Sequence, residues 1–376
     1  MKQEVSNKKF VLGQYFTRIE IVERTINLIL DYKGYERKIR ILEPSFGTGN
    51  FMRILKEKGF ANIEGCEIDK RFTQKPIDFF QYPLEEKFNL IIGNPPFTKY
   101  NIKESYYHPQ KYLFGKLRPE KYLTNRQAKK EKLRIENAFI LKSIKHLKDD
   151  DSSIGFVLPI SFFIANKNKQ TKKELLKKFR TIVIYQNDKK WVDEPIPCCF
   201  TIFTNTESFK DKIVLLYEDG KKVEEVLDKS NLLDKELIPK SFLYKKNNHI
   251  EGIPLSKFLS KKKVKYNKSY KENNVSGGNI LEKKLIPPEE EISDYYLAVC
   301  RVGNSSVGRT GLINIKKDIL NDMFYVFKFK EEFDQNEELK EKICRLINKG
   351  QDHFKNSSIR VGSKSIKKRE ILEFKI

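Results

Sequence analysis

The residues of this chain that commit most firmly to a chemistry are Asn94-Pro95-Pro96-Phe97. Two consecutive prolines preset the backbone and remove two N–H donors. What they leave is rich in acceptors, because the Asn94 side-chain oxygen and the Pro95 carbonyl can face one point beside the flat ring of Phe97. Two acceptors next to an aromatic plane fit an exocyclic NH2 group on a planar base. The preceding run FNLIIG (88–93) reads as an apolar strand that delivers Asn94 to the carboxyl edge of a sheet, where open α/β folds bind their ligands.

Two acidic points stand upstream. Glu43 opens the stretch EPSFGTGNF (43–51) at the end of the apolar run IRILE. Glycines there let the backbone approach a ligand, and the helix that follows offers unpaired N–H groups. The third glycine of a dinucleotide loop is missing, and Glu43 would repel a pyrophosphate. The site suits a cationic or zwitterionic ligand, such as the aminoacyl end of S-adenosylmethionine; an ordinary strand-to-helix turn has the same look. Glu67, in CEID (66–69), falls where nucleoside-binding α/β folds place a carboxylate on the ribose hydroxyls. Asp78 and Phe79, about nine residues before the third strand, are placed to meet an adenine amino group and ring, although Phe79 and Phe80 read equally as core.

The elements that position these residues alternate. Strands are expected at 39–43, 62–69, 88–93, 152–160, 181–185 and 198–203, and helices at 50–58, 132–148 and 170–179. This order describes a doubly wound α/β sheet. Beyond Asn205 the runs DKIVLLYE, DYYLAVCRVG and DMFYVFKFK, separated by charged or Gly/Asn-rich segments, read as mostly antiparallel strands of an α+β domain. The boundary is placed there, giving domains 1–205 and 206–376, with 257–279 read as a flexible basic loop or linker.

Composition sets the wider frame. The chain has 376 residues, 74 Lys+Arg against 51 Asp+Glu and a formal net charge of +23. A polyanionic partner, most often nucleic acid, follows from that excess, although 59 lysines against 15 arginines also match the codon bias of an AT-rich genome. Residues 1–205 carry +15 of the excess, and Lys99–Lys132 alone carries +7. That segment includes Lys99, Lys103, Lys111, Lys116 and Arg118 interleaved with Tyr100, Tyr106, Tyr107, Tyr112 and Tyr122. It has the composition of a clamp on DNA phosphates next to the Asn94 loop, or of a lysine-rich surface loop. The five cysteines form no CxxC pair or disulfide-like ladder, and with four histidines no metal site is expected. No apolar run reaches the roughly 18 residues of a membrane span, and MKQEVSNKKF lacks the apolar core of a signal peptide. A cytoplasmic protein with no membrane contact is expected.

Taken in order, these segments resemble the amino-group DNA methyltransferases, specifically those of gamma-type order, whose cofactor motifs precede a catalytic NPP[FY] and whose target recognition domain is C-terminal. Adenine-N6 modification enzymes of restriction systems belong to this group. The resemblance covers about residues 10–205 and implies a Rossmann-like S-adenosylmethionine-dependent sheet followed by an α+β target recognition domain. It implies that Thr17, in GQYFTRIEIVERTINLI (13–29), closes over the methionine end of the cofactor; the family usually has Thr-Pro there, and this chain has Thr17-Arg18. It assigns Glu43, Pro44, Gly47 and Thr48 to the methionyl side, Glu67 to the ribose, and Asp78 with Phe79 to the adenine. AFILKSIKHLKDDDSSIGFVLPISFF (138–163) is similar to the family's helix and strand after the catalytic loop.

The resemblance also implies that Trp191, heading WVDEPIPCCFTIF (191–203), stacks with Phe97 on a flipped target base; a core tryptophan is the competing reading. DYYLAVCRVGNSSVGRTGLINIKKD (294–318) is loosely similar to recognition domains of type I specificity subunits. There Arg301 and Arg309 could reach guanine edges, or belong to a charged hairpin. The implied partner is double-stranded DNA, met by a monomer, with any cognate restriction endonuclease acting separately. Competing functions are RNA adenine or protein glutamine N-methylation, which use a similar pocket, and a non-catalytic DNA-recognition subunit, which the intact Asn94–Phe97 motif disfavours.

Overall fold

Three short apolar runs become β1 (Ile41–Glu43), β2 (Ile63–Gly65) and β3 (Leu90–Gly93), all parallel with β1 in the middle. The computed structural model describes residues 13–97, 134–164, 167–194, 196–247, 252–269, 272–361 and 363–376. β4 (Ser153–Pro159) continues the parallel set beside β3, and every one of its residues is buried. Such complete burial is the mark of an interior strand covered on both faces. β5 (Thr181–Asn187) and β6 (Cys198–Thr204) follow, with β6 inserted antiparallel between β4 and β5. The fold is a mixed α/β one built on a large, mostly parallel sheet.

The sheet does not end where the sequence placed the boundary. Lys212–Asp219 forms β7, parallel to β5 in the register Thr181↔Lys212 to Asn187↔Glu218. Its Ile213, Val214, Leu215 and Leu216 are all buried, so the run is an interior strand of the first sheet rather than part of a second domain. β8 (Lys221–Asp228) closes that edge antiparallel to β7, and its KKVEEVLD composition gives the edge the charges that discourage further pairing. The strand order is β2-β1-β3-β4-β6-β5-β7-β8, and the first compact unit runs to Pro239 instead of Asn205.

Helix α1 (Ile19–Lys33) buries Ile21, Val22, Ile26 and Ile29 and stops at Gly34, which is left-handed (φ 58°) and returns its N–H to Leu30 O. A Cβ at Gly155 of β4 would lie 3.0 Å from Ile29 Cδ1 and 2.9 Å from the Phe200 ring, so glycine is what lets α1 pack this closely. Helices α2 (Asn50–Glu57), α3 (Ile135–His146) and α4 (Lys169–Lys178) fall close to their expected positions.

The second unit, Lys240–Ile376, is α+β. Its centre is β9 (Tyr295–Cys300), flanked antiparallel by β10 (Thr310–Asn314) and β11 (Phe324–Phe327). A 13-residue helix, Glu337–Lys349, starts at Asn336, whose side chain accepts from Leu339 N at 2.9 Å. The stretch 257–279, expected as a flexible linker, is packed where it is described: Leu259 and Val275 are fully buried, and the Tyr266 hydroxyl donates to Phe324 O at 3.3 Å. Its lysines suggested a linker because their spacing hid the apolar residues between them. The five cysteines are buried free thiols, and no helix among the described residues is long and apolar enough to cross a membrane.

Candidate active site

A cleft opens at the carboxyl edge of β1, β2 and β3. Its floor is the turn after β1. Gly47 is left-handed (φ 50°), and a Cβ there would lie 2.8 Å from Phe16 Cε1; Gly49, also left-handed (φ 75°), starts α2. Backbone bonds from Phe46 N to Cys66 O (3.0 Å) and Cys66 N to Glu43 O (2.9 Å) fasten this turn to the extension of β2.

Two carboxyl groups face the cleft. Glu43 is 2% exposed, and its Oε2 accepts from Met52 N at 3.2 Å. Burial pushes its carboxyl well above the ordinary carboxylate range. Glu67 is nearly as buried; its Oε2 accepts from Gly47 N (2.8 Å) and its Oε1 from Asp69 N (2.7 Å). Burial raises Glu67 as well, against the pull of those amides. Neither makes an ion pair among the described residues. Asp69 behaves oppositely. Burial works against its charge, yet Arg71 and Gln14 hold it at about 2.

Asn94 leaves β3 at the same edge. Its Nδ2 donates to Tyr15 O at 2.6 Å, while its Oδ1 is buried without a hydrogen-bond partner. Ser45 Oγ donates to Asn94 O at 3.1 Å, tying the Asn94 loop to the glycine turn. The N-terminal stretch closes over both. Phe97 N donates to Gly13 O (3.0 Å), the Phe97 and Tyr15 rings stack at 5.9 Å and 24°, and Asn50 Nδ2 donates to Thr17 O (2.8 Å). Thr17 is buried with Oγ1 unpartnered. Orphaned buried polar atoms are costly unless a ligand completes them.

Most of the residues singled out from the sequence meet here. Thr17, Glu43, Pro44, Gly47, Thr48, Glu67, Phe79, Asn94 and Pro96 all line the cleft. Pro95 and Phe97 are buried and are not among the residues that line it. Asp78 departs from expectation. Its Oδ1 accepts from Phe80 N (2.8 Å) and its Oδ2 from Gln81 Nε2 (3.4 Å), so the carboxylate caps the turn that carries Phe79, and Asp78 is not among the residues that line the cleft. Phe139 was missed. It lines the cleft and packs 5.1 Å from Phe79, but a phenylalanine at helical spacing in AFILK reads as core. Ile77 was missed as well, and its 38% exposure beside Phe79 is visible only in the fold.

Trp191 requires a correction. It is 4% exposed, its ring packs 5.9 Å from Tyr185, and its Nε1 donates to Asn187 O at 3.4 Å. The competing reading of a core tryptophan holds: the ring sits in the hydrophobic core, and Trp191 is not among the residues that line the cleft. Its backbone supports the site: Trp191 O accepts from Arg18 N at 3.0 Å, and Val192 bridges Thr17. In the second unit Arg301 Nε donates to Asp322 O (2.7 Å) and Arg309 Nη1 to Gly277 O (2.8 Å), so both guanidinium groups are engaged in holding loops. Lys99, Lys103, Lys111, Lys116 and Arg118 lie outside the described residues.

Residues 18–191 match the family described as Eco57I restriction-modification methylase. The type II methyltransferases M.HincII and M.HindII, both of Haemophilus influenzae, are each 30% identical over 190 residues, which is 49% of this chain and 35% and 34% of theirs. M.TthHB8I of Thermus thermophilus is 27% identical over 185 residues, 46% of this chain and 41% of its own. The chain thus spans about a third of the length of the first two of these relatives. Among solved structures, the type IIL restriction-modification enzyme MmeI in complex with DNA superposes with a TM-score of 0.48 at 12% identity, covering 94% of this chain and 64% of that one. The M protein of the type I restriction enzyme EcoKI gives 0.38 at 14% identity, covering 57% and 50%.

Proposed function

With residues 18–191 carrying an Eco57I restriction-modification methylase domain, we propose that this protein methylates the N6 amino group of an adenine turned out of double-stranded DNA, using S-adenosylmethionine. The observation that carries the reading is the pairing of one orphaned acceptor, Asn94 Oδ1, with a cleft holding two buried carboxyl groups that make no ion pair among the described residues. Bound there, S-adenosylmethionine supplies an electrophilic methyl on a cationic sulfur.

The donor set fits such a ligand. Glu43, with Thr48 and Thr17, holds the cationic methionyl end, and Glu67 lies at the ribose. Phe79, Ile77 and Phe139 give the adenine an apolar slot. Asp78 contributes by capping the turn under Phe79.

On the target side, N6 sits inside the base stack, so the nucleotide must be rotated out, at a cost of a few kcal/mol. The N6 lone pair is delocalised into the purine. Hydrogen bonds from the amino group to Asn94 Oδ1 and the Pro95 carbonyl favour a tetrahedral nitrogen whose lone pair is free to attack the methyl; the C–S bond breaks as the N–C bond forms, and the surplus N6 proton leaves to solvent. Phe97 offers a ring beside the base. Rate comes from positioning and preset dipoles. The proposed partner is duplex DNA, contacted by a monomer through the basic segment after Phe97, with any restriction endonuclease acting separately.

The test is methylation of mixed-sequence duplex DNA, read by modification-sensitive sequencing. N6-methyladenine at a defined motif is expected. Its absence at every motif, from protein that binds the cofactor, would refute the reading.

A further inference from the structure

Under the nucleoside end of the cleft lies a buried cation that the chemistry above does not use. Lys142, in α3, is 3% exposed. Its Nζ donates to Phe80 O and to Tyr82 O, both at 2.8 Å, and stands 5.4 Å from the centre of the Phe79 ring. These partners belong to one short turn, Phe79–Gln81, whose other end is capped by Asp78. Asp78 lies close enough to favour the Lys142 charge. Burial brings the ammonium down to about 8, so it still carries its proton at neutral pH.

The same face of α3 completes the support. Phe139 packs against Phe79 at 5.1 Å and Phe80 at 5.0 Å, and two turns further on, His146 packs against Phe79 at 5.6 Å. The turn makes few backbone bonds of its own, namely Gln81 N to Asp78 O (2.9 Å) and Tyr82 N to Phe79 O (3.1 Å). Phe80 O and Tyr82 O, which accept nothing from the turn itself, accept from Lys142. Burying a lysine is unfavourable unless its donors are met, and here two donors are met by the segment that carries the cleft's aromatic wall.

We infer that Lys142 is a positioning residue: its ammonium fixes the Asp78–Tyr82 turn so that Phe79 stands as a rigid wall for the cofactor's adenine. The inference rests on the placement of S-adenosylmethionine in this cleft. Lys142 touches neither cofactor nor target base. It acts through Phe79, so its loss weakens cofactor binding and leaves the transfer step intact. Without the ammonium, Phe80 O and Tyr82 O lose their donor, and the turn opens more often.

The experiment compares the full-length protein with Lys142→Met, Lys142→Gln, Phe79→Ala and the double variant Lys142→Met/Phe79→Ala. S-adenosylmethionine binding is measured by calorimetry, turnover at saturating cofactor by methyl transfer, and the free proteins by hydrogen exchange. Lys142→Met is expected to raise the dissociation constant about tenfold, equivalent to about 1.4 kcal/mol, with turnover at saturation within about twofold. Lys142→Gln keeps one donor and should fall between. Exchange at the Gln81 and Tyr82 amides should quicken in both. In the double variant the Lys142 effect should vanish, because a strut that acts through Phe79 has nothing left to hold. Unchanged exchange at Gln81 and Tyr82, unchanged affinity in both Lys142 single variants, or an effect that simply adds to that of Phe79→Ala would overturn the role of Lys142. Failure of the unaltered protein to bind S-adenosylmethionine would instead overturn the placement of the cofactor.

Discussion

Buried polarity is handled in opposite ways at two places in this molecule. In the second unit, Lys340 is fully buried and all three of its N–H donors are met, by Ile292 O (2.7 Å), Tyr295 O (3.0 Å) and Asp334 Oδ1 (3.0 Å). That group is structural, complete within its own fold. At the carboxyl edge of the first sheet, Asn94 Oδ1 and Thr17 Oγ1 are buried and unmatched, and Glu43 and Glu67 lie buried with no ion pair among the described residues. An unmatched buried group costs about 1–3 kcal/mol, and several in one cleft are a standing cost that a ligand can relieve. The contrast teaches where to look for chemistry: at incomplete polarity, more than at polarity itself.

Three changes break or sharpen that comparison. The largest effect is expected for Lys340→Met, which leaves Ile292 O and Tyr295 O without their donor and Asp334 with Lys328 alone, and should cost about 3 kcal/mol of stability. Denaturant unfolding of the second unit would record it, while S-adenosylmethionine affinity should stay within about twofold. An equal loss of cofactor binding would mean the two kinds of buried polarity are not separable.

Gly47→Ala comes next. It forces an alanine into the left-handed region, at about 1–2 kcal/mol, and drives its Cβ against the Phe16 ring. Cofactor affinity should fall about tenfold by calorimetry, with a modest drop in Tm.

The smallest effect is a pH slope set by Glu43. Burial raises its carboxyl in the folded protein. The neutral form therefore stabilises the free protein at low pH, and that stability is lost as pH rises from the ordinary carboxylate range through the raised value. A cationic ligand favours the carboxylate. Affinity for S-adenosylmethionine should therefore rise with pH across the same window, by at most about tenfold per unit, and Glu43→Gln should flatten the slope.

The chemistry of the first sheet was legible where spacing alone encodes it. Glu43, Gly47, Glu67 and Asn94 follow strands whose apolar runs are unmistakable, so their arrival at one edge follows from topology. Side-chain direction was not legible. Trp191 stands among polar neighbours and still turns inward, Asp78 lies beside the cleft and bends back to cap its own turn, and Phe139 hides a lining role inside a helix that reads as core. The domain boundary failed for a related reason. DKIVLLYE looks the same whichever sheet recruits it, and only its parallel register with β5 assigns it to the first. The unpaired oxygens of Thr17 and Asn94 have no sequence signature, since a missing partner exists only in three dimensions.

The central claim is that Asn94 Oδ1 is left unpartnered in the protein to receive the amino group of the target base. It is tested most directly by Asn94→Ala, with methyl transfer and S-adenosylmethionine affinity measured on the same preparation. The account expects transfer to fall by roughly 10²–10³ or more, as when a transition-state hydrogen-bonding group is removed, while the cofactor dissociation constant stays within about twofold. Loss of cofactor binding with transfer at saturation preserved would contradict it.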